Sequence, residues 1–225
     1  TYQWAGDSDR AMENFDRALA INPNFEIAVI HRAFCQIRRG EFRSAIETTN
    51  RFLDLAKAPL ERARGHEVLS YIHLRLGDLD AAEKAASQHL QLAPNGSPWI
   101  AYLIAAEKNQ ADRSKKIGSR AFENLTERGS RFNPRFMEYL KGIVALDAGR
   151  ADEALGHFRE TLNHRPPTHF EDFEDCLGRA YLTLGRPDEA IAEFERILEL
   201  SPNYPRARYY LARAFRAKGM TEEAR

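Results

Sequence analysis

A short phrase that begins with glycine recurs along the chain at an interval close to 36 residues. Successive intervals are 34, 37, 72, 36 and 34 residues, between Gly6, Gly40, Gly77, Gly149, Gly185 and Gly219. The interval of 72 residues equals two periods, so one copy keeps its length and lacks the glycine. A fixed period of roughly 20–50 residues predicts a repeat architecture, in which each unit buries its apolar face against its neighbours.

Two further residue types keep fixed places after the glycine. Alanine follows five residues later in every copy, at Ala11, Ala45, Ala82, Ala154, Ala190 and Ala224. Proline follows 17 residues later in four copies, at Pro23, Pro94, Pro166 and Pro202. Glycine closes one helix because it adopts the left-handed backbone without a Cβ penalty, and proline ends the next helix. Since alanine is small enough for close helix approach, the pattern predicts pairs of nested helices.

The segments between these phrases also have the periodicity of helices. Phe173, Leu177, Tyr181 and Leu184 recur at spacings of four, four and three residues, which places them on one helix face. No segment of the sequence shows sustained alternation of apolar and polar residues, the pattern of strands. We therefore predict an all-α fold.

Taken together, these positions resemble the tetratricopeptide repeat. The first helix of each pair contributes a further small residue to the match, at Ala33, Ser70, Gly142, Gly178 and Ala212. The resemblance implies a right-handed superhelical solenoid of antiparallel helix pairs, whose first helices line a concave groove. We predict a single solenoid of about six repeats over residues 1–225, with boundaries at 1–24 (partial), 25–58, 59–96, 97–133 (degenerate), 134–168, 169–204 and 205–225 (partial).

The resemblance also implies which residues face the groove. The predicted partner-binding residues are Ile30, Phe34, Tyr71, Tyr139, Asp172, Asp175, Arg179, Tyr209, Arg213 and Arg216. Aromatic residues and arginine are the chemistry of interface hot spots and of carboxylate recognition. An alternative stays open, in which the apolar members contact adjacent helices and the arginines form a solvated face. Ile30, Phe34 and Val68 occupy the positions of a known clamp for heat-shock chaperone termini, and their apolar side chains argue against that ligand.

Composition excludes several other classes of function. Thirty-three basic residues balance thirty-three acidic ones, which argues against direct nucleic-acid binding and against an anionic membrane surface. No apolar run reaches the ~18–20 residues of a membrane span. We expect Cys35 and Cys176 to be small buried residues, because a stack keeps residues 141 positions apart from meeting in a disulfide.

Signals for catalysis, metals or cofactors are weak. His66 and His73 lie two turns apart on one helix, too far to share a metal without a third element. His164, His169, Glu171 and Asp172 cluster in a loop but lack the paired spacing of zinc sites. No phosphate-binding glycine loop, nucleophile elbow or paired-cysteine motif occurs. We predict a chain that is not an enzyme and binds no cofactor.

We predict a protein–protein interaction scaffold that binds a peptide or helix of a partner in the groove. The alternative is a regulatory or sensory arm of a larger signalling or transcription-regulating protein, because the last two repeats are similar to bacterial arrays attached to kinases, cyclases or winged-helix regulators. The chain opens without Met and stops within a helical phrase. We therefore expect an excerpt of a longer protein, with self-association through the truncated ends as one outcome. Separately, we expect a cytoplasmic location.

Overall fold

A computed structural model describes residues 8–94, 96, 99–108, 110, 112–114, 116–119, 134–163, 175–200 and 207–224. Across these ranges the regular structure is helical and no strand occurs, so the predicted all-α class is confirmed. Five of the residues singled out in the sequence lie outside the described residues, as does the histidine cluster around His164 and His169; the five are Gly6, Pro166, Asp172, Phe173 and Pro202.

In the first of two compact units the structure gives the bounds of six helices, and residues 112–114 and 116–117 are helical as well. The six helices are α1 (Ser8–Ile21), α2 (Glu26–Arg38), α3 (Phe42–Leu55), α4 (Pro59–Leu76), α5 (Leu79–Leu92) and α6 (Trp99–Glu107). Each helix packs against the next along the chain, and α4 also contacts α6. Helix α6 lies in the segment that we predict to be a degenerate repeat, and its backbone is helical despite the missing glycine.

The second unit contains five helices in the part of the chain that the structure describes. They are α7 (Pro134–Asp147), α8 (Ala151–Asn163), α9 (Cys176–Thr183), α10 (Pro187–Leu200) and α11 (Ala207–Lys218). Successive helices again pack against each other, and α9 also contacts α11. In each unit a helix therefore contacts its neighbour in the chain, and first helices of successive pairs meet.

The turns between paired helices confirm the role of the repeated glycines. Gly40, Gly77, Gly149, Gly185 and Gly219 all have positive φ, between 68° and 85°. This left-handed conformation places the glycine N–H where it can satisfy carbonyls left open at the helix end. At Gly77, for example, the N–H donates to the Leu74 carbonyl at 3.1 Å, and the Asp78 N–H donates to the His73 carbonyl at 3.0 Å. Helix α4 stops there.

The repeated alanines are the contact points between helices. Ala45, Ala82, Ala154 and Ala190 are fully buried, and Ala11 and Ala224 nearly so. Four residues beyond the alanine, Phe158 and Phe194 are buried as well. A methyl side chain at the crossing keeps the helix axes close, and the phenyl ring one turn along fills the layer beside it. The small and aromatic residues therefore recur at a fixed spacing because each helix pair packs in the same way.

Glycine on the first helix marks where a phenyl ring of the second helix lies. A Cβ at Gly142 would stand 2.5 Å from Cε1 of Phe158, and a Cβ at Gly178 would stand 2.7 Å from Cζ of Phe194. Side chains do not approach so closely, so each ring occupies the space that a methyl group would need. In the pair α4–α5 the equivalent residue is Ser70, whose hydroxyl donates to the Ala82 carbonyl at 2.9 Å.

Both cysteines are buried and neither forms a disulfide, as the sequence predicts. Cys35 packs with Ala11 and Met12 between α1 and α2. Burial raises the pKa of the Cys35 thiol to about 11, against smaller opposing effects of Arg38 and Arg39. The thiol therefore stays protonated and behaves as a small apolar side chain.

Candidate protein-binding surface

Five of the predicted groove residues are buried: Asp175 at the start of α9, which is 4% exposed, and four apolar or aromatic residues that neighbouring helices enclose. The exposed fractions of Ile30, Phe34, Tyr71 and Tyr139 are 1%, 2%, 3% and 2%. Helical register places them on the expected face of α2, α4 and α7, but adjacent helices cover them. They belong to the packing between helices, which is the alternative that the sequence left open, and they are not accessible to a partner in this conformation. The positions of the chaperone clamp are buried too.

The accessible members lie together on α9 and α11 of the second unit. Tyr209 is 49% exposed, Arg213 and Arg216 are exposed, and the Arg179 side chain is 24% exposed. Tyr209, Arg213 and Arg216 are spaced four and three residues apart, so they form one stripe along α11. We call Arg179, Tyr209, Arg213 and Arg216 the arginine–tyrosine surface.

Tyr210 anchors this surface to the core, and the sequence pattern did not single it out. Its ring is 4% exposed and stacks on Phe194 of α10, with centroids 5.5 Å apart and planes inclined by 12°. The guanidinium carbons of Arg179 and Arg213 lie 5.7 Å and 5.8 Å from the Tyr210 centroid. Two arginines from different helices therefore pack on one buried ring. The sequence did contain one indication of this role, the adjacent residues Tyr209 and Tyr210, because neighbouring residues on a helix point in different directions and one of them can be buried while the other is exposed.

Tyr209 completes the arrangement on the exposed side. Its ring meets Tyr210 edge-on, with centroids 5.3 Å apart, and the Arg213 guanidinium carbon lies 5.8 Å from the Tyr209 centroid. Cation–π contacts of this kind contribute roughly 0.5–1 kcal/mol each at exposed sites. They also restrict the arginine side chain, whose N–H groups then point along a defined surface.

Charge on this part of the chain is unbalanced. Helix α11 contains Arg208, Arg213, Arg216 and Lys218 and no acidic residue. Lys218 forms an ion pair with Asp188 at 2.6 Å. Among the described residues, no carboxylate lies within ion-pair distance of Arg208, Arg213 or Arg216. On α9, Arg179 lies 3.9 Å from the carboxylate of the buried Asp175. The surface is positive although the whole chain is neutral.

The first unit also contains an arginine packed on an aromatic ring, but there the ring is buried among other aromatic side chains. The guanidinium carbon of Arg64 on α4 lies 5.8 Å from the Phe34 centroid on α2. His31 stacks on Phe15 and meets Phe34 edge-on, with centroids 5.6 Å and 5.7 Å away. Burial, and next the charge of Arg64, lower the pKa of His31 below its ordinary value. His31 is thus held neutral near pH 7, and this cluster contributes packing rather than an open ligand surface.

A small cavity lies between α4, α5 and α6 of the same unit. Its volume is about 10 Å³, and its lining includes Ser70 and His89. This is close to the space of a single water molecule. The His89 Nδ1 lies 3.0 Å from the Ala63 carbonyl. Nearby on α4, burial, followed by the charges of Arg62 and His89, lowers the pKa of His66.

Metal-ligand clusters and membrane spans are both absent from the described ranges. No group of three or more histidine, cysteine, aspartate or glutamate side chains there converges as metal ligands would. No helix in the same ranges combines the length and hydropathy needed to cross a bilayer.

These observations define an α-helical repeat protein with small residues at the helix crossings and an accessible arginine–tyrosine surface on first helices. One family model described as tetratricopeptide repeat matches residues 36–97 and 177–225, and a second model with the same description matches residues 139–160. Together the matches cover more than half of the chain. The protein belongs to the tetratricopeptide repeat family, as its glycine and alanine spacing predicts.

One curated relative is the anaphase-promoting complex subunit 7 of Dictyostelium discoideum. It is 24% identical over 212 residues, which cover 91% of this chain and 34% of the relative. The chain therefore spans about a third of that protein's length.

Solved structures agree on the fold. A chain in the crystal structure of the APC/C hetero-tetramer Cut9–Hcn1 is 20% identical with a TM-score of 0.64, covering 95% of this chain and 41% of that one. A thermophilic tetratricopeptide repeat protein of Thermus thermophilus is 21% identical with a TM-score of 0.54, covering 84% of this chain and 98% of that one. At such identities the likeness shows the tetratricopeptide repeat fold alone.

Proposed function

We propose that the protein is an interaction scaffold that binds a peptide or helix of a partner protein along the first helices of its repeats. The observation that supports this most directly is the arginine–tyrosine surface, which is accessible, lies on first helices and rests on a buried ring. The relatives are consistent with the proposal, since one is named as a complex subunit and another as part of a hetero-tetramer.

The composition of this surface suits the centre of an interface. Tyrosine and arginine are over-represented among the residues that contribute most to binding. Tyrosine offers a large contact area with few rotatable bonds, and arginine offers a planar guanidinium group. Tyr209 has half of its surface open to a partner, and Arg213 is already restrained by two rings. Because less side-chain freedom remains to be lost on binding, the free energy of association is more favourable than for flexible arginines.

The test uses the full chain as bait in an extract of the source organism. Retained proteins are quantified for the native chain and for the double variant Arg213→Glu with Arg216→Glu, which we call the α11 variant. The matched control is Arg43→Glu with Lys84→Glu, which makes the same change in charge. These two residues lie on the second helices α3 and α5, and no ion pair is found for either within the described structure.

We expect specific partners to be lost with the α11 variant and retained with the control. Far-UV circular dichroism of both variants checks that helix content is unchanged. Retention of every partner by the α11 variant contradicts binding through this surface, and equal loss with both variants shows that only net charge matters.

A further inference from the structure

We infer that the arginine–tyrosine surface binds an acidic segment of the partner, in which at least two carboxylates approach Arg213 and Arg216 together. This inference rests on the proposed scaffold function and names the chemistry of its ligand. Three features of the described residues support it: the excess of positive charge on α11, the guanidinium groups that pack on tyrosine rings, and the length of the stripe that Tyr209, Arg213 and Arg216 form.

The first feature is the local excess of positive charge. Arg208, Arg213 and Arg216 are three cations on one helix with no carboxylate within ion-pair distance in the part of the chain that the structure describes. Lys108 shows the opposite case, because it lies 2.7 Å and 2.6 Å from carboxylate oxygens of Asp80 and Glu83. Complementary charge on a partner is the ordinary way in which such a patch is balanced, and it accelerates association as well.

The second feature is the geometry of the arginines. Arg213 packs on Tyr209 and Tyr210, and Arg179 packs on Tyr210 from the neighbouring helix. A guanidinium that lies over an aromatic ring keeps its N–H groups at its edge for hydrogen bonding. Its planar fork matches a carboxylate with two parallel N–H···O bonds, which a flexible lysine does not provide.

The third feature is the size of the stripe. From Tyr209 to Arg216 the helix rises by about 10 Å, because each residue adds ~1.5 Å. Arg213 and Arg216 are neighbours on the helix surface, with Cβ atoms about 5–6 Å apart. An extended segment places alternate side chains about 6.5 Å apart on the same side. Acidic residues at alternate positions therefore fit these two arginines.

A nucleic acid is the other polyanion that arginine and tyrosine bind. Tight binding to its backbone needs many phosphate contacts along a continuous basic track. The stripe here is short, and acidic residues balance the basic ones in the chain as a whole. The observations therefore favour carboxylates on a protein segment.

The experiment measures fluorescence anisotropy of a labelled peptide about ten residues long, in which glutamate alternates with serine and leucine. A matched peptide has lysine in place of every glutamate, and a labelled single-stranded oligonucleotide serves as the third probe. The native chain is compared with Arg213→Ala, Arg213→Lys and Tyr209→Ala, and with Arg43→Ala as the control. Each titration is repeated at raised salt concentration.

We expect the native chain to bind the acidic peptide and not the lysine peptide, with affinity falling as salt rises. Arg213→Ala weakens binding roughly tenfold or more, because a charge-assisted hydrogen bond contributes at least ~1.4 kcal/mol. Arg213→Lys falls between native and alanine, Tyr209→Ala weakens binding severalfold, and Arg43→Ala leaves it unchanged.

Other outcomes overturn the inference in distinguishable ways. Equal affinity for the two peptides, or no binding of the acidic peptide, refutes acidic specificity, and the scaffold function stands if the α11 variant still loses its partners from the extract. Tighter binding of the oligonucleotide than of the acidic peptide assigns the surface to nucleic acid. If the α11 variant loses no partner, the proposed function itself fails.

Discussion

Adding one methyl group at Gly142 tests whether the small residue on the first helix is required for nesting. Gly142 lies within α7, and a Cβ there would stand 2.5 Å and 2.6 Å from Cε1 and Cδ1 of the buried Phe158 ring. Gly156 on α8 provides a matched control. A Cβ at Gly156 meets no heavy atom within 4 Å, although this glycine is also inside a helix of the same pair.

The two substitutions share one effect and differ in another. Replacing glycine with alanine inside a helix raises the free energy of unfolding by about 1 kcal/mol, because alanine restricts the unfolded chain. At Gly142 the methyl group also overpacks the contact with Phe158, which costs about 1–3 kcal/mol. We therefore expect Gly156→Ala to stabilise by about 1 kcal/mol and Gly142→Ala to be neutral or to destabilise by up to about 2 kcal/mol.

Urea unfolding of the full chain, followed by far-UV circular dichroism, measures the difference, provided that the m-values of the variants agree. Combining Gly142→Ala with Phe158→Leu is the second arm. If the ring causes the penalty, the double variant is more stable than the sum of the single effects predicts. Equal stabilisation by Gly142→Ala and Gly156→Ala would refute the packing argument.

Three further predictions concern a turn, a surface network and acid sensitivity. Gly77→Ala lowers the free energy of unfolding by about 1–2 kcal/mol, because its φ of 78° disfavours a Cβ even though no atom crowds the site; an unchanged or raised urea midpoint would contradict this. Glu83→Gln costs about 1 kcal/mol and less in high salt, since Glu83 forms partly buried ion pairs with Lys108 and Arg113; a loss that is the same at low and high salt would count against it. The folded pKa values of His31 and His66 are below 6.5, mainly through burial. The unfolded chain therefore binds more protons, and stability falls as the pH drops below about 6.5. His66→Gln flattens that slope in urea midpoints, and an unchanged slope in the His31→Gln and His66→Gln double variant would show that other groups cause it.

The repeat and its helices were predictable because each signature residue has one local physical reason. A turn that needs positive φ selects glycine, and a close helix crossing selects alanine, so the period appears in the sequence before any tertiary contact is known. The segment 97–133 keeps the length of a repeat without the turn glycine, and its residues Trp99–Glu107 are helical.

The candidate surface was predictable only in part. Helical register says which face of a helix a residue occupies, but it does not say how closely the next helix covers that face. Ile30 and Tyr139 were placed on the expected face and are nevertheless buried, whereas Arg213 on a later helix is exposed. Tyr210 was missed because its role depends on a ring of α10 and an arginine of α9, and neither contact follows from the spacing within α11.

Hydrogen–deuterium exchange of the chain with and without a bound partner tests the central proposal most directly. It measures which backbone amides become protected when the partner is added, at peptide-level resolution. The proposal predicts new protection concentrated in the peptides of Cys176–Thr183 and Ala207–Lys218, which contain the arginine–tyrosine surface. Protection confined to second helices such as Phe42–Leu55 or Leu79–Leu92, with those two segments unchanged, would contradict it.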